Sequence, residues 1–297
     1  TEIGIITELK PKVVIGDTRL SLLISAQATS TPYVSVTNSN MTPYYKIIPL
    51  RHAARAQKTV EMYNEVLAEF GSKKQVKSFY EILVGNLNLI VDLSEFMPIK
   101  RLPNTARFVG PMLWSCDSVP EFYTEIKEKK RSGKKFVYVT MGATGDASLF
   151  ETIIDGLKAI GYCAVVACGS LRKNLEHSMT DVYVADFISM DVLDYCDLTI
   201  SHGGNSTVYL SLLHNCPIIG IPLNPDQIDN VNRAIALELG VGLYPQVLQP
   251  IDIVRCINHL VANTKYKKNV EIFSERIKKN SGEKTAARII IDCIRKL

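Results

Sequence analysis

Residues 200–227 read ISHGGNSTVYLSLLHNCPIIGIPLNPDQ, and this stretch decides the expected fold. An apolar run ends at His202, and two glycines and two small polar residues then open a short helix near Asn205. A second apolar run, residues 217–221, follows, which is typical of a strand–helix–strand unit with parallel strands. A glycine turn at a helix start aims unpaired backbone N–H groups at one point and favours a phosphate there. The stretch therefore predicts a site that holds a nucleotide by its diphosphate.

Short apolar runs alternate with helix-like patterns along the whole chain. The expected strands are residues 13–16, 32–37, 87–91, 106–109, 136–141, 163–167, 181–184, 198–201 and 217–221. Helices are expected over residues 19–29, twice between 56 and 83, and over 146–160, 267–280 and 282–297. This alternation predicts an α/β fold with two Rossmann-like, doubly wound parallel-sheet domains. Two such domains would face a cleft, where ligands bind beyond the carboxyl ends of the strands.

The length of 297 residues also favours two domains, because a single core stops growing near about 250–300 residues. Gly110-Pro111 and the polar residues 115–120 are the best linker candidates. The expected division is a first domain over residues 1–114, a linker and connecting helix over 115–134, and a second domain over 135–280. Residues 281–297 would form a terminal helix.

Composition excludes several classes of protein. The net charge of +4 comes from 34 basic and 30 acidic residues that are well mixed, so Lys127–Lys135 is read as a solvated helix face and no nucleic-acid partner is expected. The seven cysteines form no C-x-x-C pair, which indicates a reducing, cytoplasmic location without a structural metal site. No apolar run reaches the roughly 18 residues that predict a membrane span.

Two glycine turns are candidate anion sites. In the first, His202 could donate to a phosphate oxygen, with the backbone N–H groups of Gly204, Asn205 and Ser206 beside it. A histidine satisfied by nearby backbone is the alternative, and the convergence of glycine turn and helix start favours the phosphate. The second turn, residues 142–145, contains the candidates Gly142 and Thr144 but lacks the G-x-G-x-x-G pattern, so a nicotinamide enzyme is not expected.

Three further segments have a functional and a structural interpretation. Asp226 and Gln227 either bind sugar hydroxyls or belong to a helix capping box that starts at Asn224, and the spacing leaves both open. Phe187 and Ile188 either flank a nucleotide base or pack in the core. Asp17, at the end of a predicted strand, either faces the cleft or caps a following helix.

Taken together, these residues resemble the family 1 glycosyltransferases, which have the GT-B fold. The motif residues are His202-Gly203-Gly204, Pro217 fifteen residues after the histidine, and Asp226-Gln227 beyond it. Residues 187–190 are similar to the family's base-binding element, with Ser189 in place of the usual proline. The resemblance covers nearly the whole chain and is specific over roughly residues 183–245.

The resemblance implies an inverting transfer of a hexose from a nucleotide diphosphate sugar, UDP-linked in most members, to a hydroxyl of a small-molecule or lipid acceptor. His202 and the following amides would hold the diphosphate, with no metal and no cofactor besides the nucleotide sugar. Asp226 and Gln227 would position the sugar. The family's general base is a histidine near the N-terminus, oriented by an aspartate that Asp17 resembles.

Two departures from the family pattern affect these expectations. Leu210 stands where many members carry a Glu or Gln that binds the ribose. The family's first strand, glycine-rich loop and base histidine do not appear ahead of Thr1, so about 80–100 residues of an incomplete, acceptor-side N-terminal domain are expected to be absent. The family also implies that residues 281–297 pack back on the first domain, and residues 135–280 would bind the donor.

Two alternatives to an active transferase stay open. The chain could bind a nucleotide sugar without a catalytic base, as a binding module. A nucleotide-sugar epimerase shares the architecture, but it would need acidic residues around the sugar, and only Asp226 stands there. The Lys and Arg content of the final helices is read as a solvated face, with peripheral contact with an anionic membrane as the alternative.

Overall fold

The computed structural model describes residues 1–45, 53–72, 74–114, 120–142, 147–169, 180–244 and 247–295. These residues form two compact units. The first unit combines residues 1–112 with residues 280–297, and the second unit spans residues 113–279.

Within the described residues, both units are built from parallel strands and helices. The strands are β1 Val14–Asp17, β2 Tyr33–Thr37, β3 Leu87–Ile90, β4 Ala106–Phe108, β5 Phe136–Thr140, β6 Cys163–Ala167, β7 Val182–Ala185, β8 Leu198–Ser201, β9 Ile218–Gly220 and β10 Gly240–Gly242. The α-helices are α1 Glu2–Leu9, α2 Leu22–Ala28, α3 Ala53–Glu69, α4 Tyr123–Arg131, α5 Ala147–Ala159, α6 Asn205–Leu213, α7 Pro225–Ala236, α8 Pro250–Ala262, α9 Thr264–Lys278 and α10 Gly282–Ile294. Short 3-10 helices cover Ser39–Met41, Phe79–Leu83 and Met190–Tyr195.

The first unit contains a four-stranded parallel sheet in the order β1-β2-β3-β4. Alternate residues of β2 point to opposite faces, as in any strand. Val34 and Val36 lie in a buried cluster with Leu89 and with Ala286 of α10, whereas Tyr33 lies in a cluster with residues of α1, α2 and α3. Helices therefore cover both faces of the sheet.

The second unit contains a six-stranded parallel sheet in the order β10-β9-β8-β5-β6-β7. Every side chain of β5, β6 and β8 is buried, because α5 and α8 cover one face and α4 and α6 lie on the other. The register pairs Thr140 with Ser201, and Ser201 with Gly220. Three adjacent strands thus end at the same level, so the loops that follow them share one edge of the sheet.

At the opposite edge of this sheet, a partly buried carboxylate joins several elements. Asp197, just before β8, accepts hydrogen bonds from the backbone N–H of Phe136 at 2.9 Å and from Lys130 at 2.6 Å, and Lys135 lies 3.0 Å away. Burial alone raises the pKa of Asp197, but the Lys130 ammonium, the Phe136 N–H and Lys135 together bring that pKa below its ordinary value. Asp197 therefore joins β5, β8 and α4 through one charged group.

The predicted α/β class with two parallel sheets is confirmed, and all nine expected strands are present with bounds that differ by at most one residue at either end. Helix α1 and strand β10 were not predicted. The second helix expected before residue 83 is only the 3-10 helix Phe79–Leu83, and the helix expected from Arg19 begins at Leu22. Residues 115–119 of the linker candidate lie outside the described residues. Among the described helices, none is long and apolar enough to cross a membrane.

Candidate diphosphate-binding site

A glycine turn connects β8 to α6 at the carboxyl edge of the second sheet. Gly203 has a φ of +83°, a backbone conformation that side chains with a Cβ rarely adopt, and its N–H donates to Ser201 Oγ at 3.2 Å. Gly204 is the N-cap residue of α6, and the first helical bond runs from Val208 N to Gly204 O at 3.0 Å. The N–H groups ahead of Val208 have no partner within the helix, so this helix start has the hydrogen-bonding capacity that an anion requires.

The ring of His202 lies between two glycines. A Cβ placed on Gly142, in the loop after β5, would stand 2.9 Å from His202 Cε1. A Cβ placed on Gly204 would stand 2.6 Å from His202 Nε2. Both distances are shorter than real side chains allow, so glycine at both positions is what admits the ring. The structure thus brings together the predicted residues Gly142, His202 and Gly204.

The environment of His202 favours a neutral imidazole. Burial lowers the pKa of His202, and the backbone of Thr140 and the Asp226 carboxylate oppose this shift. The Nδ1 atom is buried and has no hydrogen-bond partner among the described residues. A neutral ring next to the helix start donates one hydrogen bond without carrying a full charge.

The predicted capping box at the start of α7 is present. The side-chain oxygen of Gln227 accepts from the backbone N–H of Asn224 at 3.0 Å and of Leu223 at 2.8 Å, and Gln227 is only 4% exposed. The structural interpretation of Gln227 is therefore correct as far as its oxygen is concerned, and its contact with a sugar stays a prediction. Asp226 is exposed on the first turn of α7, near enough to His202 to affect its pKa.

Two residues that the sequence analysis missed hold the glycine turn from α7. The side-chain Nδ2 of Asn230 donates to the carbonyl of Gly203 at 2.9 Å in a buried hydrogen bond. Val231 packs on the same turn, and its Cγ2 would lie 2.6 Å from a Cβ on Gly203. Gln227, Asn230, Val231 and Ala234 are all buried, and their spacing of three and four residues marks the inner face of a helix. This spacing is the sequence signal from which the buried positions of Asn230 and Val231 could have been predicted.

The base-binding candidates Phe187 and Ile188 point in different directions. Phe187 is 72% exposed, whereas Ile188 is 2% exposed and lies in a buried cluster that includes Leu210. Ser189, which replaces the family proline, caps the following 3-10 helix by accepting from the N–H of Asp191 at 3.4 Å. Of the two candidates, only Phe187 has an exposed side chain, and core packing accounts for the side chain of Ile188.

The remaining candidates are Asp17, Thr144, Asn205 and Ser206. Asp17 is exposed at the end of β1 in the first unit and accepts from the hydroxyl of Thr18 at 3.2 Å. Its alternative role as a helix cap is wrong, because α2 begins at Leu22. Thr144 lies outside the described residues, and Asn205 and Ser206 form the first turn of α6 as expected. No cluster of His, Cys, Asp and Glu in the described ranges could hold a metal ion.

A pH dependence of stability follows from Asp229, one turn after Asp226 on α7. Burial, together with the Asp226 carboxylate, raises the pKa of Asp229 to about 6. A carboxyl group whose pKa is about 4 in the unfolded chain and about 6 in the folded chain destabilises the fold increasingly as the pH rises from 4 through 6. Asp229→Asn should therefore increase the free energy of unfolding at pH 7 by about 1–2 kcal/mol, and the gain should vanish below pH 4. Urea unfolding at several pH values checks this, with the exposed Asp155→Asn on α5 as control; a gain that is constant with pH would contradict it.

The chain is similar to known proteins along most of its length. Residues 191–284 match the family model described as UDP-glucoronosyl and UDP-glucosyl transferase. A PGL/p-HBAD biosynthesis glycosyltransferase of Mycobacterium tuberculosis is 24% identical over 294 residues. That alignment covers 91% of this chain and 68% of the relative, so the chain spans about two thirds of the relative's length.

Two solved structures share the fold. CalG4, the calicheamicin glycosyltransferase, has a TM-score of 0.74 and 19% sequence identity, with 97% of this chain and 75% of that chain covered. The spinosyn rhamnosyltransferase SpnG, complexed with thymidine diphosphate, has a TM-score of 0.73 and 16% identity over the same shares of the two chains. Residues 191–284 therefore resemble the UDP-glucoronosyl and UDP-glucosyl transferases, and the chain has the two-domain GT-B fold of the solved glycosyltransferases.

Proposed function

We propose that the second unit binds a nucleotide diphosphate sugar with its diphosphate against residues 202–206, and that the chain takes part in inverting transfer of the hexose. The observation that carries this proposal is the position of the His202 ring, which lies between Gly142 and Gly204 beside the N-terminal turn of α6. Ring and amides converge on the same edge of the sheet. Such a convergence is suited to a group with several negatively charged oxygens.

The chemistry follows from where charge grows during transfer. When the sugar–oxygen bond breaks, negative charge develops on the diphosphate, and fixed donors at that point lower the barrier. His202, as a neutral donor, and the amides of Gly204, Asn205 and Ser206 would supply this stabilisation, and no further cofactor is part of the proposal. Asp226 would bind sugar hydroxyls and Phe187 would contact the base.

The general base is proposed to be a histidine that Asp17 orients. Asp17 lies exposed at the carboxyl end of β1, where a ligand-facing residue of a parallel sheet is expected. A carboxylate in contact with the base histidine would fix its tautomer while the ring takes the proton of the acceptor hydroxyl. That the whole enzyme transfers a hexose to the acceptor hydroxyl is likewise a proposal.

The donor is proposed to carry UDP or dTDP. The family model is named for UDP-sugar transferases, and the SpnG structure holds thymidine diphosphate. The acceptor is proposed to be a hydroxyl-bearing small molecule or lipid, in line with the PGL biosynthesis named for the curated relative, and a lipid would imply peripheral contact with a membrane. The six described cysteines are free thiols, which supports a cytoplasmic location.

Titration calorimetry with UDP and with dTDP tests the donor site. The wild-type chain should bind at least one of them, and His202→Ala should weaken that binding by about 10- to 100-fold, the effect of losing a hydrogen bond to a charged group. His259→Ala is the matched control, since His259 lies on α8 of the same unit and contacts Tyr266 Oη at 3.1 Å. Absence of binding to either nucleotide, or equal affinity of His202→Ala and wild type, would refute the proposal.

A further inference from the structure

Asn230 is a buried amide on the inner face of α7. It is 2% exposed, and its Nδ2 donates to the carbonyl of Gly203, which is 27 residues earlier in the chain. A buried side-chain donor bound to a loop carbonyl fixes the orientation of that peptide group, because breaking the bond leaves both partners unpaired. The Gly203 carbonyl therefore points toward α7.

The same peptide group determines where Gly204 points its N–H. In a planar trans peptide, the C=O of one residue and the N–H of the next point in opposite directions. With the Gly203 oxygen directed toward α7, the Gly204 N–H is directed away from α7. That N–H has no hydrogen-bond acceptor among the described residues.

Helix α7 also leaves no room for a side chain at Gly203. A Cβ there would lie 2.6 Å from Val231 Cγ2 and 3.1 Å from the backbone oxygen of Gln227. The glycine turn therefore lies directly against the helix that carries Asn230, and the hydrogen bond from Asn230 joins the two.

We propose that Asn230 is a positioning residue that directs the Gly204 N–H at the diphosphate of the donor through its hydrogen bond to Gly203. This rests on the proposed function, because the ligand is the same nucleotide diphosphate. The inference adds a residue outside the glycine turn that sets the geometry of the turn. It also makes α7 part of the diphosphate site, besides its capping box and Asp226.

Asn230→Asp has nearly the same size and shape, and its ionised carboxylate cannot donate to the Gly203 carbonyl. Because a new negative charge also repels a diphosphate, the uncharged Asn230→Leu, which has no donor and a similar size, is measured beside it and should show the same effect. The probes are UDP or dTDP, whichever the wild type binds more tightly, and the corresponding nucleoside, which lacks the diphosphate. Asn230→Asp should raise the Kd of the nucleotide about tenfold and leave the Kd of the nucleoside within twofold of wild type.

Ser274→Ala is the matched control for a purely structural loss. Ser274 is fully buried, and its hydroxyl donates at 2.6 Å to the carbonyl of Leu213, at the far end of α6. This variant should lower the melting temperature and leave both Kd values unchanged. If Asn230→Asp weakens nucleotide and nucleoside equally, or weakens neither, the inference is overturned.

A second measurement covers the case in which Asn230→Asp does not fold. In ¹⁵N-labelled wild-type protein, the Gly204 amide and the Asn230 side-chain amide should both shift on addition of the nucleotide and not of the nucleoside. Unchanged resonances would overturn the inference. If the wild type binds no nucleotide, the proposed function and this inference fall together, whereas tight nucleotide binding by Asn230→Asp overturns the inference alone.

Discussion

Gly203→Ala is expected to reduce nucleotide binding by at least 100-fold and to lower the free energy of unfolding by about 2–4 kcal/mol. Two costs add. An alanine at a φ of +83° is strained by about 1–2 kcal/mol. Its Cβ would also lie 2.6 Å from Val231 Cγ2, so the turn must move away from α7 and carry the Gly204 amide with it. Urea unfolding measures the loss of stability, and titration calorimetry measures the loss of nucleotide binding.

Two further variants separate these costs. Gly161 also has a positive φ, +70°, but a Cβ there would meet nothing within 4 Å, so Gly161→Ala reports the backbone strain alone. Val231→Ala combined with Gly203→Ala relieves the contact and should recover part of the binding. If Gly203→Ala and Gly161→Ala lower the free energy of unfolding equally, the contact with Val231 does not contribute to the loss of stability.

Asp197→Ala is expected to lower the free energy of unfolding at pH 7 by about 2–3 kcal/mol. The substitution leaves the Phe136 N–H without its acceptor and removes the shared partner of Lys130 and Lys135. Since the folded-state pKa of Asp197 is below its ordinary value, its stabilisation is complete above the unfolded value of about 4 and is lost as the pH falls through the folded value. The difference between variant and wild type should therefore shrink below pH 4.

Thermal and urea unfolding between pH 3 and pH 8 provide the measurement. Glu275→Ala is the comparison, because Glu275 forms an ion pair with Lys278 at 2.8 Å while 62% of its side chain is exposed. Such a surface pair contributes little to stability, because solvent screens it. Equal losses for the two variants would show that the Asp197 network behaves as an ordinary surface pair.

The spacing of apolar residues, and the glycine, proline and polar residues that separate the apolar runs, were enough to predict most of the fold. Apolar runs of four to six residues are typical of strands that are buried on both faces, and β5, β6 and β8 are buried throughout. The segments that were missed lack such a signal. The strand β10 has only three residues, Gly-Val-Gly, and α1 buries Ile6 as its sole fully covered side chain. Neither pattern differs from that of a loop.

The candidate site was predictable only where its parts are local in sequence. The glycine turn after His202 and the capping box from Asn224 to Gln227 are contiguous, so their residues reveal them. The approach of Gly142 to His202 depends on β5 lying beside β8, and a sequence does not state the order of strands. Asn230 was overlooked because a polar residue on a helix is ordinarily expected to face solvent. Its burial is explained only by its hydrogen-bond partner, the Gly203 carbonyl, which lies 27 residues away in the sequence.

The common level at which β5, β8 and β9 end has a consequence for engineering and for divergence among related enzymes. The loops after these strands begin from one rigid platform, in which Thr140 pairs with Ser201 and Ser201 with Gly220. The segments that follow these strands also meet one another, because Gly142 after β5 leaves room for the His202 ring and Asn230, on the helix after β9, binds Gly203. A segment from a relative can therefore replace one of them only if it keeps these contacts, while the sheet beneath stays the same.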